Sequence, residues 1–212
     1  GMDMHLFEMP VNGGAYRQLT RYPGFKFGFD VGPNNKIITY SGSDLEQPDE
    51  VFVERMNGGK KGREKLTKRS NVKILTHLND DLPALPFAPT RAIKWKSKDG
   101  LDIEGLFTYP LDYEKGKRYP LVLLLHGGPT YTYYHDFTAY PAAFYAPQLL
   151  AAEGFAVLKA NVRGSSGRGK EFRFANLGDL GGKDLEDALS GVDYLIDQGI
   201  ADPERLAVQG VS

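Results

Sequence analysis

The sequence predicts two domains of different class, a β-rich N-terminal part and an α/β C-terminal part. Three observations predict this. A hairpin-like pattern recurs within the first seventy residues, a proline-bearing stretch interrupts it, and apolar strand-like runs then alternate with helix-like stripes. Short strands spaced by turn residues suit an antiparallel β unit, whereas strand, helix, strand alternation is the signature of a parallel sheet flanked by helices.

The N-terminal elements come first. "LFEMPVNGGAYRQLTR" at 6–21 and "VFVERMNGGKKGREKLTKR" at 51–69 share an apolar-aromatic pair, an Asn-Gly-Gly turn and a Leu-Thr ending, with Asn12 and Asn57 standing 45 residues apart. That period is the size of one four-stranded propeller blade. The spacing predicts strands near 24–31, 36–41, 51–55 and 63–67, with residues 4–20 supplying about half of a preceding blade. Residues 1–70 are therefore expected to hold one to two blades of a β-propeller; an ordinary run of hairpins is the alternative.

Residues 71–90, "NVKILTHLNDDLPALPFAPT", read as a linker, and 91–212 as the α/β part. There "RAIKWKSKDGLDIEGLFTYP" predicts a hairpin turning at Lys98-Asp99-Gly100. "YPLVLLLHGGP" is a continuous apolar strand that stops at glycines, as strands covered on both faces do. A helix is predicted near 141–153, a strand over "FAVLKANV", and a helix over 182–198 with Leu185, Leu189, Val192 and Ile196 on its inner stripe. An Asp-Pro turn and the strand "RLAVQG" follow.

Composition excludes several functions. The chain has 212 residues with 41% hydrophobic content, and its 26 basic against 27 acidic residues give a formal charge of −1. No whole-chain field draws it to nucleic acid or an anionic membrane. The longest aliphatic run, "LVLLL" at 121–125, is far too short to span a bilayer. With no cysteine, disulfides and thiolate chemistry are excluded, which suits a cytoplasmic setting. The histidines at 5, 77, 126 and 135 lack metal-ligand spacing, so neither a metal nor another cofactor is expected.

In open α/β sheets, ligands bind beyond the carboxyl ends of strands. Three such endings matter: "HGGP" at 126–129, "NVRGSSGRGK" at 161–170 and "QGVS" at 209–212. Paired glycines let backbone N–H groups approach an oxyanion, which marks Gly127 and Gly128 as candidates; a plain glycine turn is the alternative. Gly210-Val211-Ser212 is the first half of a G-x-S-x-G nucleophile elbow, in which the serine stands at a strained strand-to-helix turn. "TYTYYHDF" at 130–137 follows the glycines, making Tyr131, Tyr133 and Tyr134 candidate substrate-lining residues. "GSSGRGKE" at 164–171 supports a rival, a P-loop-like nucleotide binder, but Glu171 stands where a P-loop has a hydroxyl for Mg²⁺. Arg163 and Asp187 read as a structural ion pair or as surface charges rather than catalytic groups.

Together "YPLVLLLHGGP", "LLAAEGFAVLKANVRGSSGRGKEF", "GDLGGKDLEDALSGVDYLI" and "DPERLAVQGVS" resemble, in order and spacing, the catalytic domain of the prolyl oligopeptidase family of serine peptidases. The likeness is strongest to its acylaminoacyl-peptidase and dipeptidyl-peptidase branch. The resemblance implies a partial α/β-hydrolase fold preceded by propeller blades. It also implies Ser212 as nucleophile, Gly128 with Gly127 as oxyanion loop, and short peptides or acylated amino acids as substrates. A carboxylesterase of the same fold is the near alternative. The family's x-Gly-Gly, aspartate and histidine after the serine have no counterpart here, since all four histidines precede Ser212. The 212-residue chain by itself is accordingly expected to be an inactive, marginally stable fragment prone to self-association through open strand edges.

Overall fold

The structure, a computed structural model, describes residues 1–55, 72–80, 85–137 and 146–210. It divides into two compact units: Gly1–Pro83 with Tyr134–Phe137, and Ala84–Tyr133 with Thr138–Ser212. Among the described residues no helix is long and apolar enough to cross a membrane.

In the first unit, β1 (Phe7–Glu8) and β2 (Arg17–Gln18) form a short antiparallel pair. Strands β3 (Phe25–Val31), β4 (Ile37–Ser43), β5 (Glu50–Arg55) and β6 (Val72–Ile74) form a four-stranded antiparallel meander in that order. Its burial follows the period of two that a half-covered sheet requires. Ile38 and Tyr40 on β4 face Glu54 and Phe52 on β5, and Tyr40 stacks on Phe52 at 5.5 Å. The strand predicted at 63–67 lies outside the described residues. The fourth strand observed is β6, inside the stretch read as linker, and that stretch also contains Thr90, the first residue of β7 (Thr90–Lys96). Three prolines suggested a linker, yet Val72 and Ile74 have apolar side chains that pack on the Tyr22, Tyr40 and Phe52 cluster. Pairing with β5 overrode the local signal.

Lys26 lies within this unit, 1% exposed. Its ammonium donates to the carbonyls of Met4, Tyr22, Pro23 and Gly24. Burial lowers its pKa to about 8, against the opposing pull of Asp3, Glu54 and Asp44. Four carbonyls replace the water that a buried cation loses.

The second unit is a five-stranded mixed sheet in the order β11-β9-β10-β8-β7. Strands β7 and β8 (Asp102–Thr108) form the predicted hairpin, and β8 runs antiparallel to β10 (Ala156–Asn161). Strands β9 (Tyr119–Leu125), β10 and β11 (Ala201–Gly210) are mutually parallel, with β9 in the middle. The Asp202-Pro203 pair does not make a separate turn; β11 starts at Ala201 and its register against β9 shifts before Leu206. Helix α1 (Pro147–Ala152) covers the described end of the helix predicted near 141–153; residues 141–145 lie outside the description. A single-turn helix, α2 (Lys170–Arg173), precedes α3 (Lys183–Asp197).

Helix α3 occurs where its periodicity predicts, but its buried face is rotated. Asp187, Ala188, Gly191, Val192 and Leu195 are buried, whereas Leu185 and Leu189 are 45% and 43% exposed. The cause is Trp95, whose indole N–H donates to the Asp187 carbonyl at 2.8 Å. A Cβ on Gly191 would stand 2.8 Å from two atoms of that ring, and a Cβ on Gly105 would stand 3.0 Å from it. The bulky ring selects the small face of the helix. Gly191→Ala is accordingly expected to destabilise the fold. Its helix-propensity gain of ~1 kcal/mol is outweighed by overpacking that costs ~1–3 kcal/mol. A lowered urea midpoint at unchanged slope is the expected result; a raised midpoint would show that the ring moves aside freely.

Candidate active site

The site lies where the parallel strands end. Strand β9 is an unbroken apolar run, YPLVLLL, and its carboxyl end leads directly into His126-Gly127-Gly128. Strand β11 runs alongside, with Gly210 opposite Leu125, two residues before Ser212 in sequence. Ser212, the predicted nucleophile, lies outside the described residues.

Gly127 and Gly128 form a turn at this end. Gly128 has φ +117°, and a Cβ there would stand 2.9 Å from the backbone nitrogens of Thr130 and Tyr131. Only glycine fits both the dihedral and the close approach. Among the described residues neither glycine's N–H has a hydrogen-bond acceptor. Gly128 is exposed and Gly127 half-buried, so both N–H groups are open to solvent and free to take an incoming acceptor at this strand end.

The turn is bound to the loop that follows β10. His126 Nε2 lies 2.9 Å from Ser165 Oγ, and Ser165, fully buried, lies 2.6 Å from the Val162 carbonyl. That carbonyl takes the only hydroxyl proton, so the Ser165 contact calls for a ring proton on Nε2, while the Gly127 carbonyl 3.1 Å from Nδ1 calls for one there. The neutral ring has one proton, and it is assigned to Nε2, which makes the shorter contact. Burial lowers the His126 pKa below the ordinary imidazole value, outweighing its contact with the Gly127 carbonyl, which favours the charged ring. Ser166 Oγ donates to the Thr130 carbonyl at 2.5 Å, Ser166 N–H to Tyr131 at 3.2 Å, and Thr132 Oγ1 to the Ser166 carbonyl at 2.8 Å. Asn161 closes the series, accepting from Tyr133 N–H at 2.8 Å and donating to the Tyr133 carbonyl at 3.0 Å.

The second loop is itself anchored. Arg163 is 4% exposed and donates through Nε and Nη2 to both carboxylate oxygens of Asp187, at 2.9 and 2.7 Å; Asp187 is fully buried. The Asp187 carboxylate also accepts the Arg163 N–H at 2.8 Å. The same guanidinium donates twice to Asp99, at 2.8 and 2.9 Å. Hydrogen bonding to Arg163 holds the Asp99 carboxyl at about 2, and the two carboxylates push the guanidinium pKa upward. Arg163 and Asp187 thus form an ion pair, and Asp99 is a third member with no signal in the sequence pattern.

The three tyrosines do not form one lining. Tyr131 is half-buried, with its ring edge-on to His126 at 5.7 Å. Tyr133 is 1% exposed and packs against His126 at 5.2 Å and under the Lys159 ammonium at 5.6 Å, so its ring belongs to the interior. Tyr134 groups with the first unit, its ring 5.2 Å from Phe25. A run of aromatic residues gave no means of telling lining from packing. Sequence reasoning also passed over His126, Ser165, Ser166 and Asn161 as a connected set, although they sit in the two motifs it singled out.

The near-P-loop has a different use. The hydroxyls of Ser165 and Ser166 are committed to backbone carbonyls, and α2, which starts at Lys170, spans four residues. Among the described residues no full helix N-terminus follows this loop to receive a phosphate. ATP with Mg²⁺ at millimolar concentration is expected to leave the thermal midpoint unchanged, where a binding site would raise it by linkage. A clear rise would restore the nucleotide reading.

Comparison with known proteins follows the same residues. The family model described as the prolyl oligopeptidase family matches residues 141–212. An uncharacterized peptidase, YuxL, of Bacillus subtilis is 32% identical over 189 residues, which cover 87% of this chain and 26% of that protein. Dipeptidyl-peptidase 5 of Porphyromonas gingivalis is 27% identical over 211 residues, 99% of this chain and 28% of that protein. A solved acylaminoacyl peptidase in complex with Z-Gly-Gly-Phe-chloromethyl ketone aligns with a TM-score of 0.73 at 25% identity, over 93% of this chain and 28% of that one. The chain thus spans about a quarter of the length of these relatives. By the match of residues 141–212, and by 32% identity over 87% of its length to a peptidase, this chain belongs to the prolyl oligopeptidase family.

Proposed function

We propose that this chain supplies the nucleophile and the oxyanion turn of a serine peptidase that cleaves short peptides or acylated amino acids through an acyl-enzyme. One observation carries the reading: Gly127 and Gly128 present open N–H donors at the end of β9, directly beside the strand that leads to Ser212. In this mechanism Ser212 Oγ attacks the scissile carbonyl as its proton passes to a general base, which the family resemblance places after the serine, and the oxygen that becomes negative accepts from the Gly127 and Gly128 N–H groups. The collapse of the tetrahedral adduct expels the amine, which takes that proton, and leaves an ester on Ser212, which water then cleaves with the same base accepting its proton. The similarity to an acylaminoacyl peptidase holding a peptide chloromethyl ketone supports a peptide-like substrate.

His126 is not the base in this reading. Its Nε2 is engaged by Ser165 and its Nδ1 lies 3.1 Å from the Gly127 carbonyl. In the family this chain resembles, the histidine and aspartate follow the serine, so the 212-residue polypeptide tested by itself is proposed to be inactive. The four-stranded meander of the first unit is proposed to be one propeller blade. Cytoplasmic residence belongs to the same proposal.

Hydrolysis by the full-length protein of aminoacyl and dipeptidyl p-nitroanilides, N-acylated residues and simple p-nitrophenyl esters tests the reading. Amide cleavage with a burst of acylation is expected. Activity confined to esters would favour the carboxylesterase alternative.

A further inference from the structure

We infer that His126 and Ser165 are positioning residues for the oxyanion turn, joining it to the Arg163-anchored loop so that the Gly127 and Gly128 N–H groups stay aimed at the reacting carbonyl. The inference rests on the acyl-transfer reading above and assigns to the loop 162–167 a part in that reaction. A glycine pair at a strand end has wide conformational freedom and no side chains to hold it. Something else must fix where its donors point, because oxyanion stabilisation depends on donors placed in advance.

The structure supplies that support from one direction. On the turn's N-terminal side, the His126 ring reaches Ser165 Oγ at 2.9 Å. On its C-terminal side, Thr130, Tyr131 and Thr132 are bonded to Ser166 through both its hydroxyl and its backbone. The two glycines therefore lie between attachments to two successive serines of one loop. The loop is held in turn by the buried Arg163 and Asp187 pair and by Asp99. Ser165 passes the constraint on, since its hydroxyl accepts from His126 and donates to Val162 beside Arg163. Neither His126 nor Ser165 needs to touch substrate for this.

The role separates from general structural support by what each variant changes. In the full-length protein, Ser165→Ala and His126→Leu are expected to lower kcat per titrated active site by about 10- to 100-fold, the scale of a misplaced catalytic geometry. KM should stay within about threefold, because donors that act on the tetrahedral state bind the ground state little. His126→Gln keeps an amide N–H near the Nε2 position and is expected to recover at least about a third of the wild-type kcat. The double variant of Ser165→Ala with His126→Leu should lose no more than either alone, as members of one connection do. Loss of function through misfolding would instead lower the number of titratable sites and leave kcat per site intact. If the wild-type protein cleaves acyl substrates while Ser165→Ala and His126→Leu keep their kcat per site, the positioning role is overturned and the acyl-transfer reading stands. If the wild-type protein neither cleaves acyl substrates nor is acylated, both fall together.

Discussion

On the proposed mechanism, Ser212→Ala in the full-length protein is expected to lower kcat on a peptide substrate by a factor on the order of 10⁶, since it would remove the proposed nucleophile and the covalent route while leaving binding and the proposed oxyanion donors in place. KM should change little, because the hydroxyl contributes to the transition state far more than to ground-state binding. Steady-state assays with the residual rate corrected for contaminating peptidases would read this. A residual rate within about tenfold of wild type would mean that another residue, or a water, carries out the attack.

Asp187→Ala should have the largest effect on stability. The carboxylate is fully buried and receives three hydrogen bonds from Arg163, so its removal leaves a guanidinium that is 4% exposed without that counter-charge. Breaking a buried pair in this way costs about 3–5 kcal/mol. Asp99, at the exposed side, keeps one partner for the cation but does not replace the bonds in the interior. Replacing both charges, with Arg163→Met and Asp187→Leu together, should recover part of the loss, because no buried charge then lacks its partner. Equal destabilisation by the single and double variants would contradict the account. Asp99 adds a pH signature of definite sign. Its folded-state pKa of about 2 lies below the ordinary carboxylate value, so the stability it contributes is complete above about pH 4. That stability is lost as the pH falls towards 2. Arg163→Met should flatten the acid limb over that interval.

The two variants also separate what was legible in the sequence from what was not. The run YPLVLLLHGGP announced both β9 and the turn after it, because a fully covered strand and a glycine pair are local signals. The extent of α3 was legible within a residue or so at each end, for the same reason. Its buried face was not, since Trp95 is 92 residues from the Asp187 carbonyl it bonds and its indole selects Gly191 over Leu189. Asp99 was read as part of a hairpin turn, which it is, while its second use depends on Arg163 arriving from 64 residues away. Tyr131, Tyr133 and Tyr134 look alike in sequence and differ only in what packs on each ring. Val72 and Ile74 were hidden by the prolines downstream, although their pairing with β5 makes them a strand. In each case the missing information was a long-range contact, and the site's own support, His126 on Ser165, is of that kind.

Covalent labelling with a fluorophosphonate, followed by peptide mapping, tests the central claim most directly. In the full-length protein a single phosphonyl group should appear on Ser212, rapidly and to one equivalent, and Gly128→Ala should slow its arrival by distorting the turn that receives the phosphonyl oxygen. The 212-residue polypeptide by itself should label no faster than an ordinary serine. Rapid stoichiometric labelling of a different residue, or of Ser212 in the 212-residue polypeptide, would contradict the account.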